Sequence, residues 1–134
     1  MKYTLSFGYI NIINDNIAEV LVDEGVEMSL EMCEEYDEFL HSHFHGPYAV
    51  LVNRIHNYKM SYETRLHIAS HQDLVAIGVV SYNNHDSDEV AKLLQQRKID
   101  NLNLKEFHGL DMGRGKAIAW LERELSTVNA NTNS

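Results

Sequence analysis

The residues best suited to chemistry stand in a glycine-rich segment near the end of this 134-residue chain. Gly113, Arg114, Gly115 and Lys116 follow Met112 at the predicted start of the last helix. Because backbone N–H groups are free at a helix N-terminus, this segment is a candidate anion-binding site. The alternative is a loop whose glycines only supply permissive backbone angles. The spacing fits neither a Walker A loop nor a dinucleotide fingerprint.

A second polar segment follows the predicted strand over 48–53, and residues 55–60 are predicted to form a polar loop. It mixes amide, guanidinium, imidazole and phenol groups, which are typical of recognition surfaces. We expect its side chains to contact a protein partner: Asn53, Arg54, His56, Asn57 and Tyr58. The alternative is a plain polar connection between two elements.

The chain also carries eight histidines, and two groups of them are closely spaced: His41, His43 and His45, and His67 and His71. The second pair lies four residues apart, so a helix would place both rings on one face, where they could hold a metal ion. No His-Glu-x-x-His motif is present, and no cysteine joins the histidines in a finger-like spacing. We therefore expect exposed or interface histidines, and we expect no metal site. A milder alternative is pH sensitivity, because protonated histidines would offset the negative net charge.

A catalytic set cannot be assembled from the sequence. There is no Gly-x-Ser-x-Gly nucleophile elbow. Cys33 lies on the apolar face of the first predicted helix, where a thiol is usually an inert packing group. The glutamates between Glu31 and Glu38 are typical of a solvated helix face. We expect a protein that is not an enzyme and needs no cofactor.

The elements that would position these residues alternate between strand and helix patterns. Strands are predicted as one or two segments over 3–13 and as single segments over 17–22, 48–53, 74–82 and 102–107. Helices are predicted to begin at Ser29, at Ser61, at Asp86 or Ser87, and near Gly115. This order predicts an α/β fold with a single mixed, mostly parallel five-stranded sheet, an N-terminal antiparallel hairpin and about four helices. Functional loops should gather at the carboxyl ends of the parallel strands.

Composition limits the function further. The net charge is −9, which argues against nucleic-acid binding and against docking on anionic lipids by charge. The single cysteine cannot form an intramolecular disulfide, which favours a cytoplasmic location. The longest apolar run, Leu74 to Val80, is too short to span a membrane. We expect one domain over residues 1–126 and a flexible polar tail over 127–134.

Several core positions resemble a known family. They are Ala76-Ile77-Gly78-Val79-Val80 as a central strand, Phe107 at the end of the last strand, and the closing pattern Ala117-Ile118-Ala119-Trp120-Leu121. The chain is similar in these positions to the SpoIIAA-like proteins, small bacterial relatives of the STAS domains of anti-sigma-factor antagonists and sulfate transporters. The resemblance covers roughly residues 3–125. It implies a STAS-like or Sec14-like fold and supplies no established catalytic residue or ligand.

The resemblance also directs attention to Ser61. In anti-sigma-factor antagonists, a serine at the start of the second helix is phosphorylated, and Ser61 occupies a similar place by element order. A helix N-terminus can accommodate a phosphate. The acidic residue before the serine and the glycine after it are missing here, where Met60 and Tyr62 stand instead. The alternative is an ordinary N-cap serine.

These observations predict a cytosolic binding or regulatory module that acts through protein–protein interaction. A homodimer is expected if the first strand is an exposed edge. The alternative function is a small apolar-ligand or lipid-binding protein, which the Sec14-like comparison favours. A metal-dependent enzyme is the least favoured class.

Overall fold

The computed structural model describes residues 2–56, 58–60, 73–82 and 103–132. The described strands are β1 (Lys2–Leu5), β2 (Gly8–Asn14), β3 (Ile17–Val22), β4 (Glu27–Met28), β5 (Tyr48–Asn53), β6 (Lys59–Met60), β7 (Leu74–Ser81) and β8 (Leu104–His108). The described helices are α1 (Leu30–His43) and α2 (Gly113–Thr132), and a short 3-10 turn covers Gly109–Asp111.

The main sheet has six strands in the order β1-β2-β3-β5-β7-β8. The pairs β1–β2 and β2–β3 are antiparallel, and the pairs β3–β5, β5–β7 and β7–β8 are parallel. The predicted mixed, mostly parallel sheet with an N-terminal hairpin is confirmed, and the predicted count of five strands is wrong. Residues 3–13 divide into β1 and β2 because the chain turns at Ser6 and Phe7. Two interactions stabilise this turn. Phe7 is fully buried, and Ser6 donates two hydrogen bonds to the Glu35 carboxylate of α1.

Two of the predicted helices lie within the described residues. Ser29 caps α1, as the sequence predicts, by accepting a hydrogen bond from the Met32 N–H at 3.2 Å. The predicted helices that begin at Ser61 and at Asp86 or Ser87 lie outside the described residues. Helix α2 continues to Thr132, through part of the segment predicted as a flexible tail. In the described part of the chain, no helix has the length and apolar character needed to cross a membrane.

Side chains pack on both faces of the main sheet. On one face, α1 contributes Cys33, Tyr36 and Leu40 to a core with strand residues such as Ile10 and Val50. On the other face, α2 contributes Ala117, Leu121 and Leu125 to a core with Ile17, Leu51 and Val80. The packing is close at Gly78, where an added Cβ would lie in van der Waals contact with Ala117 and Leu121. Both faces of the parallel strands are therefore apolar, which explains their nearly continuous hydrophobic runs.

A small parallel pair lies beside the main sheet. Glu27 and Met28 of β4 pair with Lys59 and Met60 of β6. The sequence predicts residues 55–60 as a polar loop, and this prediction is wrong for the last two. A strand of two residues is too short to show a periodic pattern in the sequence. This strand forms because it pairs with a segment 32 positions earlier in the chain.

Candidate functional site

The polar segments singled out in the sequence meet at one edge of the main sheet. Strands β3, β5, β7 and β8 run in the same direction, so all four end at the same edge, here called the carboxyl edge. The segments 23–26, 54–56 and 109–112 follow these ends, and both α1 and α2 begin there. The sequence-based expectation that the candidate segments share one edge agrees with this topology.

Large apolar side chains are exposed at this edge. Among the described residues, the exposed large hydrophobics are Leu30 (54%), Ile55 (55%), Leu110 (86%) and Met112 (81%). Leu30 is the first residue of α1, Ile55 follows β5, and the other two lie between β8 and α2. Single exposed apolar residues are common on protein surfaces, but their concentration at one edge is typical of an interaction site.

The loop that carries Leu110 and Met112 is tightly packed at its base. A side chain at Gly109 would collide with the ring of Tyr82, and one at Gly113 would collide with the backbone of His108. Met112 adopts the left-handed conformation, with φ of 60° and ψ of 32°, which is uncommon for a residue other than glycine. The loop backbone is therefore closely packed at both of its ends, and the left-handed backbone at Met112 lies in an exposed segment, where such strain often accompanies function.

A buried carboxylate lies beneath the start of α2. Glu19, in the middle of β3, is 3% exposed and points to the face that α2 covers. Arg114 donates to it twice, from Nε to Oε2 at 2.8 Å and from Nη2 to Oε1 at 2.9 Å. Asn53 Nδ2 donates to Oε2 at 2.9 Å, and Asn11 Nδ2 donates to Oε1 at 3.3 Å. These four residues, here called the Glu19 cluster, join β2, β3 and β5 to the first turn of α2.

The charge of Glu19 is retained inside the fold because donors surround it. Burial acts to raise the pKa of the Glu19 carboxyl, and the hydrogen bonds from Arg114, Asn53 and Asn11 outweigh this effect, so its pKa lies below the ordinary value. The hydrogen bond to Glu19 raises the pKa of Arg114. The pair is charged at neutral pH, and its bidentate geometry fixes the direction of the guanidinium. The Arg114 side chain remains 47% exposed, so its outer part faces solvent at the carboxyl edge.

The residues of the predicted partner-binding segment divide between the interior and the surface. Asn53 is 7% exposed and belongs to the Glu19 cluster, and its Oδ1 accepts no hydrogen bond from any residue that the structure describes. Tyr58 is buried, with the Arg54 guanidinium 4.7 Å from its ring centre. His56 is exposed, with Nδ1 3.9 Å from Glu24 Oε2. Asn57 and the candidate phosphorylation site Ser61 lie outside the described residues.

The predicted anion-binding segment forms the first turn of α2. Gly115 and Lys116 are exposed, and Gly113 is buried against His108. Met112 precedes the helix and has no side-chain oxygen that could cap it. Arg114 uses two of its donor groups on Glu19. The first turn therefore offers backbone N–H groups and the Lys116 ammonium, with only the outer part of Arg114 available.

Sequence reasoning missed the central residue of the edge, Glu19. One signal was available: Glu19 is the only charged residue in the otherwise apolar run Ile17–Val22, at a position whose neighbours are buried. A charge buried in a strand needs a partner. Its partner is 95 positions away, so the sequence alone could not identify Arg114.

The remaining reactive candidates have structural explanations. Burial raises the pKa of the Cys33 thiol to about 11, so it is protonated at neutral pH. The His43 ring stacks on Phe39 at 4.1 Å, and its Nδ1 lies 2.9 Å from the Phe39 carbonyl oxygen near the end of α1. Within the described ranges, no three His, Cys, Asp or Glu side chains group closely enough to hold a metal ion. His67 and His71 lie outside those ranges.

No protein-family model, curated protein or solved structure matches this chain.

Proposed function

We propose that this protein is a non-enzymatic binding module that contacts another protein through the carboxyl edge of its sheet. The observation that carries the proposal is the concentration of Leu30, Ile55, Leu110 and Met112 at that edge. Burial of one such side chain in an interface contributes about 1.5–3 kcal/mol. Four of them provide a large part of the free energy that a specific complex needs, before polar contacts are counted.

The dimensions of the edge favour a macromolecular partner. Neighbouring strands lie about 4.8 Å apart, so the ends of β3 and β8 are separated by about 14 Å. The four apolar side chains belong to three separate segments, and the helices α1 and α2 that begin at this edge pack on opposite faces of the sheet. A protein surface can cover all of them together, since a standard interface involves about 800 Å² of each partner.

The Glu19 cluster supports the same function through rigidity. It ties the first turn of α2 to β3 by two charge-assisted hydrogen bonds, and α2 follows directly after the loop with Leu110 and Met112. A loop held in its binding conformation loses less conformational entropy when a partner docks. In this proposal, Glu19 and Arg114 are positioning residues and the apolar side chains supply the contact.

The resemblance to SpoIIAA-like proteins enters the proposal as a second line of support. STAS-related modules act through protein contacts, so we propose a regulatory role in the cytoplasm and a STAS-related fold for this chain. Phosphorylation at Ser61 and binding of an apolar ligand or lipid stay predictions from the sequence.

Site-specific photo-crosslinking in the native host tests the proposal. A photoreactive amino acid is placed at Leu110, at Ile55 or, as a matched control, at Asp15, which is exposed in the turn between β2 and β3 at the opposite edge. We expect crosslinked products from the first two positions and few from Asp15. Equal crosslinking from all three positions, or none above background at the carboxyl edge, would contradict the proposal.

A further inference from the structure

The first strand of the main sheet has a free outer side. Strand β1 pairs with β2, and no strand in the described part of the chain pairs with its other side. The Phe7 carbonyl accepts from the Asp23 N–H, on the β3 side of β2. Backbone groups alternate in direction along an antiparallel strand, so residues 9 and 11 also bond toward β3. Thr4 and Lys2 lie opposite these two residues and therefore direct their own N–H and C=O groups outward.

Aromatic side chains border this free side on the face that α1 covers. The rings of Phe39 and His43, one helical turn apart in α1, stack with their centres 4.1 Å apart. The Tyr3 ring of β1 packs edge-on against both, at 5.0 Å and 4.9 Å. Tyr3 and Phe39 are only partly buried, and His43 is exposed. A strand added to β1 would place alternate side chains against these three rings, here called the aromatic cluster.

Carboxylates lie on the solvent side of the aromatic cluster. Glu31, Glu35 and Glu38 are spaced four and three residues apart, so they share one face of α1, next to the face that carries Phe39. Both hydrogen bonds from Ser6, at the end of β1, go to Oε1 of Glu35, at 2.8 Å and 3.0 Å. The second oxygen of that carboxylate can therefore accept from a ligand placed along β1.

The charge of this region favours a basic partner over a second copy of the chain. Neither lysine nor arginine occurs between residues 3 and 53, and like charges one turn apart lower the stability of a helix. Antiparallel pairing of β1 with a second β1 would place both α1 helices on the same side of the joined sheet, where their carboxylates would repel each other. An arginine side chain matches the surface better, because a guanidinium both stacks on aromatic rings and pairs with carboxylates.

We propose that an extended, arginine-bearing segment of a partner protein adds to β1 as a further strand, between its free side and the acidic face of α1. This surface is separate from the carboxyl edge, so the inference does not depend on contacts made there. Strand β1 has only four residues, so side-chain contacts must supplement a small number of backbone hydrogen bonds. The Lys2 ammonium does not oppose a basic segment on the α1 face, because it lies 4.0 Å from the Tyr9 ring centre on the opposite face of the sheet.

A synthetic peptide tests the proposal: acetyl-Thr-Arg-Thr-Val-Thr-Arg-Thr-amide. Its side chains have the same order in both directions, so it suits parallel and antiparallel pairing alike. In an NMR titration we expect a Kd below about 1 mM, with the largest shifts in β1 and around Phe39. The same peptide with glutamate in place of arginine should bind at least about tenfold more weakly. No binding of the arginine peptide at about 1 mM, or equal affinity of the two peptides, would overturn the proposal.

N-methylation of the peptide tests strand pairing itself. In an added strand, alternate N–H groups face β1 and the others face solvent. One peptide is methylated at the threonine amides and a second at the arginine and valine amides. We expect one of the two to lose binding and the other to retain most of it. Equal affinities of the two methylated peptides would show that the arginine peptide binds without adding a strand.

Variants of the protein locate the binding surface. Thr4→Pro removes an outward N–H and no hydrogen bond of the sheet, so it should abolish binding, whereas Thr4→Val should retain it. Glu31→Lys combined with Glu38→Lys should raise the Kd by about three- to tenfold. The matched control Glu122→Lys, exposed in α2 on the other face of the sheet, should leave it unchanged. Circular dichroism and thermal unfolding establish that each variant is folded.

The same variants separate this proposal from self-association. If β1 is occupied by a second copy, the wild-type protein sediments as a dimer and the peptide converts it to monomers. That outcome would overturn the choice of partner. Unchanged peptide affinity in both Thr4→Pro and the double charge reversal would place the peptide elsewhere on the molecule and would overturn the proposed surface.

Discussion

Removal of the Arg114 guanidinium should destabilise the fold in a manner that depends on pH. In the wild type the Glu19 carboxylate is buried, at 3% exposure, and Arg114→Ala leaves it with only the amide donors of Asn53 and Asn11. Breaking a fully buried ion pair costs about 3–5 kcal/mol. Because the Arg114 side chain is 47% exposed, water can replace part of its contact, and we expect a loss of about 2–3 kcal/mol at pH 7.

The sign of the pH dependence follows from the pKa of Glu19. In the wild type this pKa is below its ordinary value, so the pair adds stability above the pKa of the unfolded chain, and the contribution is lost as pH falls through the folded-state pKa. Arg114→Ala removes the strongest interaction that lowers the pKa of Glu19. Burial should then raise this pKa. The variant can then protonate Glu19, so its deficit relative to the wild type should shrink between pH 7 and pH 4.

Urea denaturation at both pH values measures this effect. A loss of about 2 kcal/mol lowers the urea midpoint by about 1 M for a chain of this size. The double variant Glu19→Gln with Arg114→Ala serves as the control, because it leaves no buried charge and should be more stable at pH 7 than Arg114→Ala alone. A loss below about 0.5 kcal/mol at pH 7, or an equal loss at pH 4, would refute the reasoning.

The other predictions concern packing, capping and reactivity. Gly109→Ala should lower the free energy of unfolding by about 1–3 kcal/mol, because its methyl group would collide with the Tyr82 ring, and an unchanged melting temperature would contradict this contact. Ser29→Ala should cost about 1 kcal/mol in urea denaturation, because the Met32 N–H loses its acceptor, whereas Ser29→Asp should retain most of the stability. Cys33 should react slowly with a disulfide reagent at pH 7 and rapidly in urea, since burial raises its pKa to about 11; rapid labelling of the folded protein would show that the thiol is accessible.

The sheet could be predicted from the sequence where patterns are local. The runs Ile17–Val22, Tyr48–Asn53 and Leu74–Ser81 are almost entirely apolar, and each forms a strand buried between two layers. Ser29 is followed by acidic residues and by apolar residues at helical spacing, and it caps α1. Local signals of this kind need no knowledge of the tertiary fold.

The remaining features depend on contacts between distant segments. Gly8 follows the turn residues Ser6 and Phe7, and a side chain at Gly8 would collide with the Leu21 carbonyl. Burial of Phe7 and the hydrogen bond from Ser6 to Glu35 also stabilise the turn. Glu19 and Arg114 are separated along nearly the whole chain, and no periodic pattern connects them. Topology brings the apolar side chains of the carboxyl edge together, because they belong to three segments that are distant from one another in the sequence. The sequence pattern therefore predicts which loops lie at the carboxyl edge. Only the fold shows which apolar side chains are exposed there.

Hydroxyl-radical footprinting of Met112 tests the central claim most directly. The Met112 side chain is 81% exposed in the isolated chain, so it should oxidise rapidly in dilute purified protein. His45, exposed after α1 and away from the carboxyl edge, provides the internal reference. In cells of the native host, oxidation of Met112 should fall severalfold relative to His45, because a protein partner covers the edge. Equal Met112-to-His45 oxidation ratios in cells and in dilute protein would contradict the claim that this edge is a docking surface.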